Sequence, residues 1–481
     1  MNHRLASGLA VALCLAGAGA AAAQTAGYML PCSSASQLGR GCTLLADQGD
    51  ASTILGDPAA LAGVGRGLVV SGAAFMPSLH YANALNPGQN GKSNVFPMPA
   101  LYYADGHRGA LTLGLGAQAI GGMGADYSLD NAVLGAGQRY HSKVALMKGG
   151  LAAAWQVSPQ LTVGAMVGAL YGQLEFATPY SLDPMTLAGM AGLAQDPSYA
   201  TMMQSFTEAT AYANLTGLSG FGLTGALSVH YQPSPAVTVA LAWTPSTTLT
   251  LGGGTATMDM NAQFGQLYQG MVAAKGGNAA AVNAQLAGFG INMANGMATS
   301  FKAETDFGVP QTVTLAVGLR PGERLRFGVD LGWIGYASAF KTMAMRMTGG
   351  TNANINILMN ASPTNGSFAA AWPLDWKDSW VARAGAAYGL TPVLSVRAGA
   401  MYNSNPVPSS TLFTIFPAVA RTALTVGVRY RMGITTLDVG YAHTFTSTQT
   451  GATPSLVAQE YAGATSQLGE DQLSAGLSWR F

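Results

Sequence analysis

The chain ends Leu473-Ser474-Ala475-Gly476-Leu477-Ser478-Trp479-Arg480-Phe481. Leu473, Ala475, Leu477, Trp479 and Phe481 share one face, and Ser474, Gly476, Ser478 and Arg480 share the other. A period of two is the spacing of an extended strand. Large apolar residues on one face and small or charged residues on the other suit a strand between lipid and a polar lumen. The same alternation recurs upstream. Leu325, Phe327, Val329, Leu331 and Trp333 oppose Arg324, Arg326, Gly328, Asp330 and Gly332; Leu424, Val426, Val428 and Tyr430 oppose Thr425, Gly427, Arg429 and Arg431. Val313, Leu315, Val317 and Leu319 repeat it against Thr312, Thr314, Ala316 and Gly318. A soluble sandwich also alternates, but it places many more charges on its outer surface.

Composition agrees. Of 481 residues, 49% are hydrophobic and 9% charged, against roughly 25% charged in an ordinary soluble domain. The net charge of +1 provides no field for nucleic acid. No stretch after residue 23 supplies the ~20 consecutive apolar residues of a spanning helix, so a closed barrel is the membrane-compatible alternative. The fold class expected is all-β, a transmembrane antiparallel barrel of about fourteen strands over 67–481. Short turns such as Ser158-Pro159, Pro321-Gly322 and Met432-Gly433 alternate with long outer connections at 79–96, 121–141, 177–218, 253–300, 341–375, 404–420 and 449–468. Two of these, 181–213 and 256–298, are rich in Ala, Met, Gln and Asn and are expected to be partly helical.

Residues 1–23 have the form of a secretory signal: Arg4, an apolar run from Leu5 to Ala16, then Ala21-Ala22-Ala23 before Gln24. Export makes a disulfide between Cys32 and Cys42 plausible. Residues 24–66 precede any clear strand yet hold Leu38, Leu44, Ile54, Leu55 and Leu61. Those residues need something to pack against, and a plug folded into the lumen provides it.

Here the sequence resembles the FadL-type outer-membrane transporters of long-chain fatty acids and aromatic hydrocarbons. Asp57-Pro58-Ala59 is similar to the Asn-Pro-Ala motif of that family's N-terminal hatch, with an added charge; either side chain can cap a turn. Gly124-Ala125-Asp126-Tyr127, Arg139-Tyr140-His141, Asp378-Ser379-Trp380 with Arg383 and Gly385, Ser395 to Gly399, Asn405-Pro406-Val407-Pro408 and Thr425-Val426-Gly427 follow in family order. The resemblance implies passive uptake of hydrophobic small molecules through a plugged barrel, with lateral release at a kink in the third strand. Gly121, Gly122 and Gly124 are the candidates for that kink, since glycine weakens strand pairing. It also implies that Phe481 is the terminal signal read by the barrel assembly machinery, and that outer-membrane lipid and lipopolysaccharide surround the barrel.

Asp330, Arg383 and Arg397 are lumenal charges that either clamp a carboxylate headgroup, for which Arg is well shaped, or form a ladder that holds the plug; the ladder is the favoured role. Glu175, where the family's fatty acid transporters tend to be basic, argues for neutral hydrocarbons. Methionines such as Met185, Met190, Met202 and Met203 suit adaptable apolar capture. The six histidines include no His-x-Ser, and no metal-ligand spacing stands out; neither an enzyme, a metal site nor a cofactor is expected. A general porin and a structural or adhesive barrel are the alternatives.

Overall fold

The computed structural model describes residues 26–44, 51–182, 208–358 and 366–481. The expected signal at 1–23, residues 45–50 and the four loop methionines named above lie outside them. Nineteen strands form one antiparallel sheet that closes where β1 (Gly67–Ala82) pairs with β19 (Thr465–Arg480). Ten staves of this barrel are continuous. They are β1, β3 (Phe96–Arg108), β4 (Leu111–Asn131), β5 (Gly135–Gln156), β6 (Leu161–Leu182), β7 (Ala209–Ser234), β16 (Leu394–Asn403), β17 (Thr422–Met432), β18 (Thr435–Thr450) and β19. The two-residue β2 (Gln89–Asn90) patches the rim beside β1.

Four more staves are each broken in two. They are β8 (Val237–Thr244) with β9 (Thr247–Asp259), β10 (Ala298–Val309) with β11 (Thr312–Leu319), β12 (Leu325–Ile334) with β13 (Thr342–Thr348), and β14 (Phe368–Pro373) with β15 (Ser379–Gly389). The barrel therefore has fourteen staves. The breaks fall at one height, at Pro245-Ser246, Pro310-Gln311, the helical turn Tyr336–Ala339, and 374–378 with Asp375 at φ 46°. Proline removes a ladder donor, which explains the first two.

Below the breaks the apolar side chains face lipid. Trp243, Trp333 and Trp380 lie outward in one row, because Val313 pairs with Trp243 and Trp333, and Trp333 pairs with Trp380. Trp155, Tyr231, Tyr388 and Tyr430 are exposed toward the other rim. Two aromatic girdles bounding an apolar band are what an outer-membrane barrel presents to its bilayer.

Above the breaks the facing reverses. Leu249, Leu251, Phe301, Phe307, Met343, Met345, Met347 and Trp372 point inward into one hydrophobic cluster. The outward face there is polar: Arg346 Nη2 lies 2.6 Å from Glu304 Oε1, Arg346 Nη1 lies 3.0 Å from Asp306 Oδ2, and Thr250 donates to Asp306 at 2.8 Å. These strand ends stand in water and enclose an apolar cup.

The strand boundaries expected from sequence are consequently too short at the outer end. The expected loop 121–141 is instead a long hairpin of β4 and β5, and 253–300 is partly strand. A search for apolar-outward alternation stops where the bilayer stops, although the strands continue. Helices Asn261–Ala274 and Ala279–Gly288 occupy the expected helical stretch 256–298, and Phe264, Leu267, Met271, Val282 and Leu286 join the cup. The connection 404–420 dips inward, burying Leu412, Phe413, Ile415 and Phe416 over the lumen.

Candidate functional site

Residues 26–44 and 51–66 lie inside the barrel and divide into three contacts with its wall. The first is Tyr28, fully buried and ringed by Phe307, Tyr336, Phe340 and Trp376 at centroid separations of 5.2–6.0 Å. Its hydroxyl donates to the Gly308 carbonyl, and the Tyr336 hydroxyl to the Ala26 carbonyl. On its other side the same segment joins the third stave. The Leu30 N–H donates to Ile120 O at 2.9 Å, and the Gly122 N–H donates to Tyr28 O at 2.9 Å. The β4–β5 register shifts between Ala119 and Gly121, and pairing with β3 ends at Gln118. A Cβ at Gly121 would crowd the Tyr28 carbonyl oxygen, so the backbone approach here requires glycine. Gly121 and Gly122 thus sit at an irregularity that the N-terminal segment covers from within, whereas Gly124 pairs in regular register with Lys143.

The second contact is the turn that the Cys32–Cys42 disulfide closes. Leu38 packs with both cysteines, Met401, Ala423 and Ala442. This turn rests on a floor of glycines: a Cβ at Gly385 would overlap the Arg40 carbonyl, one at Gly399 would overlap Gly41, and one at Gly427 would crowd Gly39. The glycines in the sequence motifs around Arg383, Arg397 and Thr425 are therefore where backbone meets backbone.

The lumenal charges form two separate rungs. Asp330 pairs in register with Arg383, their charged groups 4.0 Å apart, and it accepts the Leu44 N–H at 3.0 Å. Arg397 reaches a different acid. It donates to Asp438 at 2.6 Å and to the Ser36 carbonyl at 3.3 Å. Arg429 donates to Asp438 through Nε at 2.9 Å and Nη2 at 3.0 Å, and to Ser36 Oγ at 3.1 Å. Charge-assisted bonds of this length are the strong ones. The arginine pair expected with Asp330 is split, because Arg397 lies opposite Ala387, four residues along from Arg383. Arg429 falls on the lumenal face of the alternation, and its in-register partner Asp438 is carried by the next strand.

The third contact is Asp57-Pro58-Ala59. Both Asp57 carboxylate oxygens lie 2.9 Å from His230 Nε2, and the Ala59 N–H donates to Ser228 Oγ at 2.8 Å. Asp57 is anchored to β7 rather than to the arginines. Nothing in the local sequence signals His230, which stands 173 positions away. Ile54, Leu55, Leu61 and Val64 pack against β1, β3, β5, β6 and β7.

Between these contacts lies a cavity of about 170 Å³, bounded by both apolar and polar side chains, Met29, Leu30, Leu170, Gln118, Lys148 and Arg383 among them. A smaller apolar hollow in the cup is lined by Phe176, Tyr180, Met258, Met345, Met347 and Trp372. Glu175 sits between buried Leu174 and Phe176, on the outward side of β6. It therefore does not face the lumen, and it carries no argument about the ligand. No cluster of three or more metal-ligating side chains occurs among the described residues.

The family described as "Outer membrane protein transport protein (OMPP1/FadL/TodX)" matches residues 16–478. The chain belongs to the FadL/TodX family. It is an outer-membrane transport protein with a closed fourteen-stave barrel and an N-terminal hatch. Solved structures share the fold of this FadL/TodX protein. A Pseudomonas aeruginosa FadL homologue is 16% identical with a TM-score of 0.70, over 95% of this chain and 100% of that one. The Pseudomonas putida toluene transporter TodX is 15% identical with a TM-score of 0.69, over 95% and 100%. The Ralstonia pickettii toluene transporter TbuX is 19% identical with a TM-score of 0.62, over 93% and 98%. No curated protein sequence matches the FadL/TodX chain.

Proposed function

We propose that this protein carries hydrophobic small molecules, long-chain fatty acids or neutral and aromatic hydrocarbons, passively across the outer membrane. The observation that carries the reading is the reversal of facing above the bilayer. A porin mouth lined by Leu249, Leu251, Phe301, Met345 and Trp372 would gain nothing for a polar solute. For an apolar one, each buried Å² contributes about 25 cal/mol. The methionines of the cup can repack around ligands of different shape.

From the cup a ligand meets the N-terminal segment at Tyr28. Withdrawal of residues 26–30 vacates the aromatic ring of Phe307, Tyr336, Phe340 and Trp376 and uncovers the β4 irregularity at Ala119 to Gly121. Lateral release to the bilayer occurs there, and the two charged rungs hold the remaining hatch in place. In this reading residues 1–23 are a cleaved signal, 24–66 the hatch and 67–481 the barrel. Cys32–Cys42 braces the hatch, and Phe481, exposed at the seam beside β1, is the mark for the assembly machinery.

Uptake of labelled palmitate and of labelled toluene, measured in a deletion strain with and without the restored gene, tests this. Restored uptake of at least one is expected. Uptake unchanged for both overturns the reading and favours a porin or adhesive barrel.

A further inference from the structure

One stretch of strand edge in the closed wall lacks a partner. β7 pairs with β6 in unbroken register from Tyr231 opposite Leu161 to Gly220 opposite Gly172. On its other side the ladder to β8 ends at Leu227 opposite Trp243, and the ladder to β9 ends at Ser219 opposite Gly252. Between them 220–226 has no strand partner on this side. The facing chain is itself held from behind, where Thr244 pairs with Thr312 and Thr247 with Val309. The result is a slit framed by intact ladders. At a neighbouring break the helical turn Tyr336–Ala339 packs so close that a Cβ at Gly308 would overlap the Ala339 carbonyl. The slit beside β7 is spanned more lightly. Thr247 Oγ1 donates to Leu223 O at 3.0 Å, and Leu249 lies inside against Gly172 and Gly222, where an added Cβ would crowd it. Irregular backbone at membrane depth is tolerated where it lines a cavity.

A cavity does lie behind it. Thr224 and, across the slit, Ala242, Thr244 and Pro245 line the 170 Å³ cavity, and the buried Thr224 hydroxyl has no hydrogen-bond partner. Gln118 and Ile120 line the same cavity from β4. One row of paired residues connects the two sides: Gly121 with Leu146, Leu146 with Gly172, and Gly172 with Gly220. The cavity therefore reaches both edges of the panel β4 to β7, the irregularity of β4 at one and the slit at the other. Its charged lining, Lys148 and Arg383, belongs to β5 and β15, and neither lip of the slit, 220–226 or 242–251, carries an ionisable side chain. Outside, Phe221 is 74% and Leu223 85% exposed, against 39% for Trp243. An outward side chain is left that bare where no neighbour stands across from it. The cavity is large enough to stage a small ring, since ~150 Å³ accepts benzene.

We propose that this slit is a second lateral exit, through which small neutral hydrocarbons pass from the cavity into the bilayer beside Leu223, separately from the β4 irregularity. Rotation of Leu249 into the cup and release of the bond from Thr247 to Leu223 part the lips without breaking a ladder. The proposal rests on the transport reading above and adds a route to it.

The test measures uptake of labelled toluene by deletion-strain cells carrying the full chain. Leu223→Cys with Thr247→Cys puts one thiol on each lip, and methanediyl bis-methanethiosulfonate, a reversible cross-linker, ties them. Pro99→Cys with Ala119→Cys does the same beside the β4 irregularity, one step beyond the pairing of Ala100 with Gln118. Wild type carried through the same treatments corrects for the Cys32–Cys42 disulfide. Each cross-link alone should lower uptake in part, and both together should lower it to that of the deletion strain. Dithiothreitol should restore it, which shows that the barrel stayed folded. Thr224→Trp, which fills the cavity side of the slit without a cross-linker, should act as the first cross-link does. Uptake unchanged both by the cross-link between 223 and 247 and by Thr224→Trp overturns the second exit, as does complete loss on tying the β4 side alone. Palmitate uptake without toluene uptake in wild type overturns it too, because the neutral lips then have no cargo. If wild type restores uptake of neither, the transport reading fails instead.

Discussion

Replacing Asp438 by asparagine leaves two buried guanidinium groups, those of Arg397 and Arg429, facing one neutral amide. In the native rung the carboxylate accepts three charged bonds, at 2.6, 2.9 and 3.0 Å. All three residues are buried. Breaking a buried pair by removing one partner costs about 3–5 kcal/mol. Asparagine keeps one acceptor oxygen, so the lower end applies, about 3 kcal/mol, or roughly a 100-fold shift in the unfolding equilibrium. Both arginines also hold Ser36, through its carbonyl and hydroxyl, so part of the loss should fall on the hatch alone. Urea unfolding in nanodiscs, followed by tryptophan fluorescence, measures the first quantity. Amide hydrogen exchange over 35–44 measures the second, with 51–64 as the internal control. The reasoning fails if Asp438→Asn costs less than about 1 kcal/mol, or if exchange rises equally in both segments.

Gly385→Ala should unseat the turn closed by Cys32–Cys42, because the new methyl overlaps the Arg40 carbonyl; raised conductance in planar bilayers with normal barrel mobility is expected, and unaltered conductance counts against it. Asp57→Ala removes the bifurcated bond to His230 Nε2 and should loosen 51–64 by about 1.5–3 kcal/mol, read as faster exchange in that segment only. Phe481→Ala should lower the heat-modifiable fraction in outer membranes; wild-type assembly removes support for a terminal signal. Glu460 sits in the outer connection between β18 and β19, where burial pushes its carboxyl above the usual carboxylate range against hydrogen bonds from Tyr140 and Asn131. A raised native value means that docking of this loop is strongest below the ordinary carboxylate pKa and weakens as pH rises through the raised one. Protease cutting within 451–464 should therefore increase with pH, and Glu460→Gln should abolish the dependence; cutting that increases on acidification would contradict it.

Much of the hatch lay in view as residue types without their partners. Asp330, Arg383 and Arg397 stood on lumenal positions of readable strands, so a charged interior was legible. Which acid meets which arginine depends on how strands stagger around the ring, and no single strand records that. Asp57 announced a turn, yet His230 is brought to it from 173 positions away.

The period of two and the shortage of charge were enough to specify a barrel in a membrane, because lipid tolerates no other arrangement of extended backbone. They could not say which way the apolar stripe faces at each height. Phe301, Phe307, Val313, Leu315 and Leu319 all fall on odd positions of one uninterrupted pattern. Yet Phe301 and Phe307 point into the cup, while Leu315 and Leu319 point to lipid. The break at Pro310-Gln311 turns the strand over, and the matching breaks in the three neighbouring staves do the same. Alternation records that two faces differ, and only the closed sheet, set at its own depth in the bilayer, decides which of them meets water, lipid or ligand.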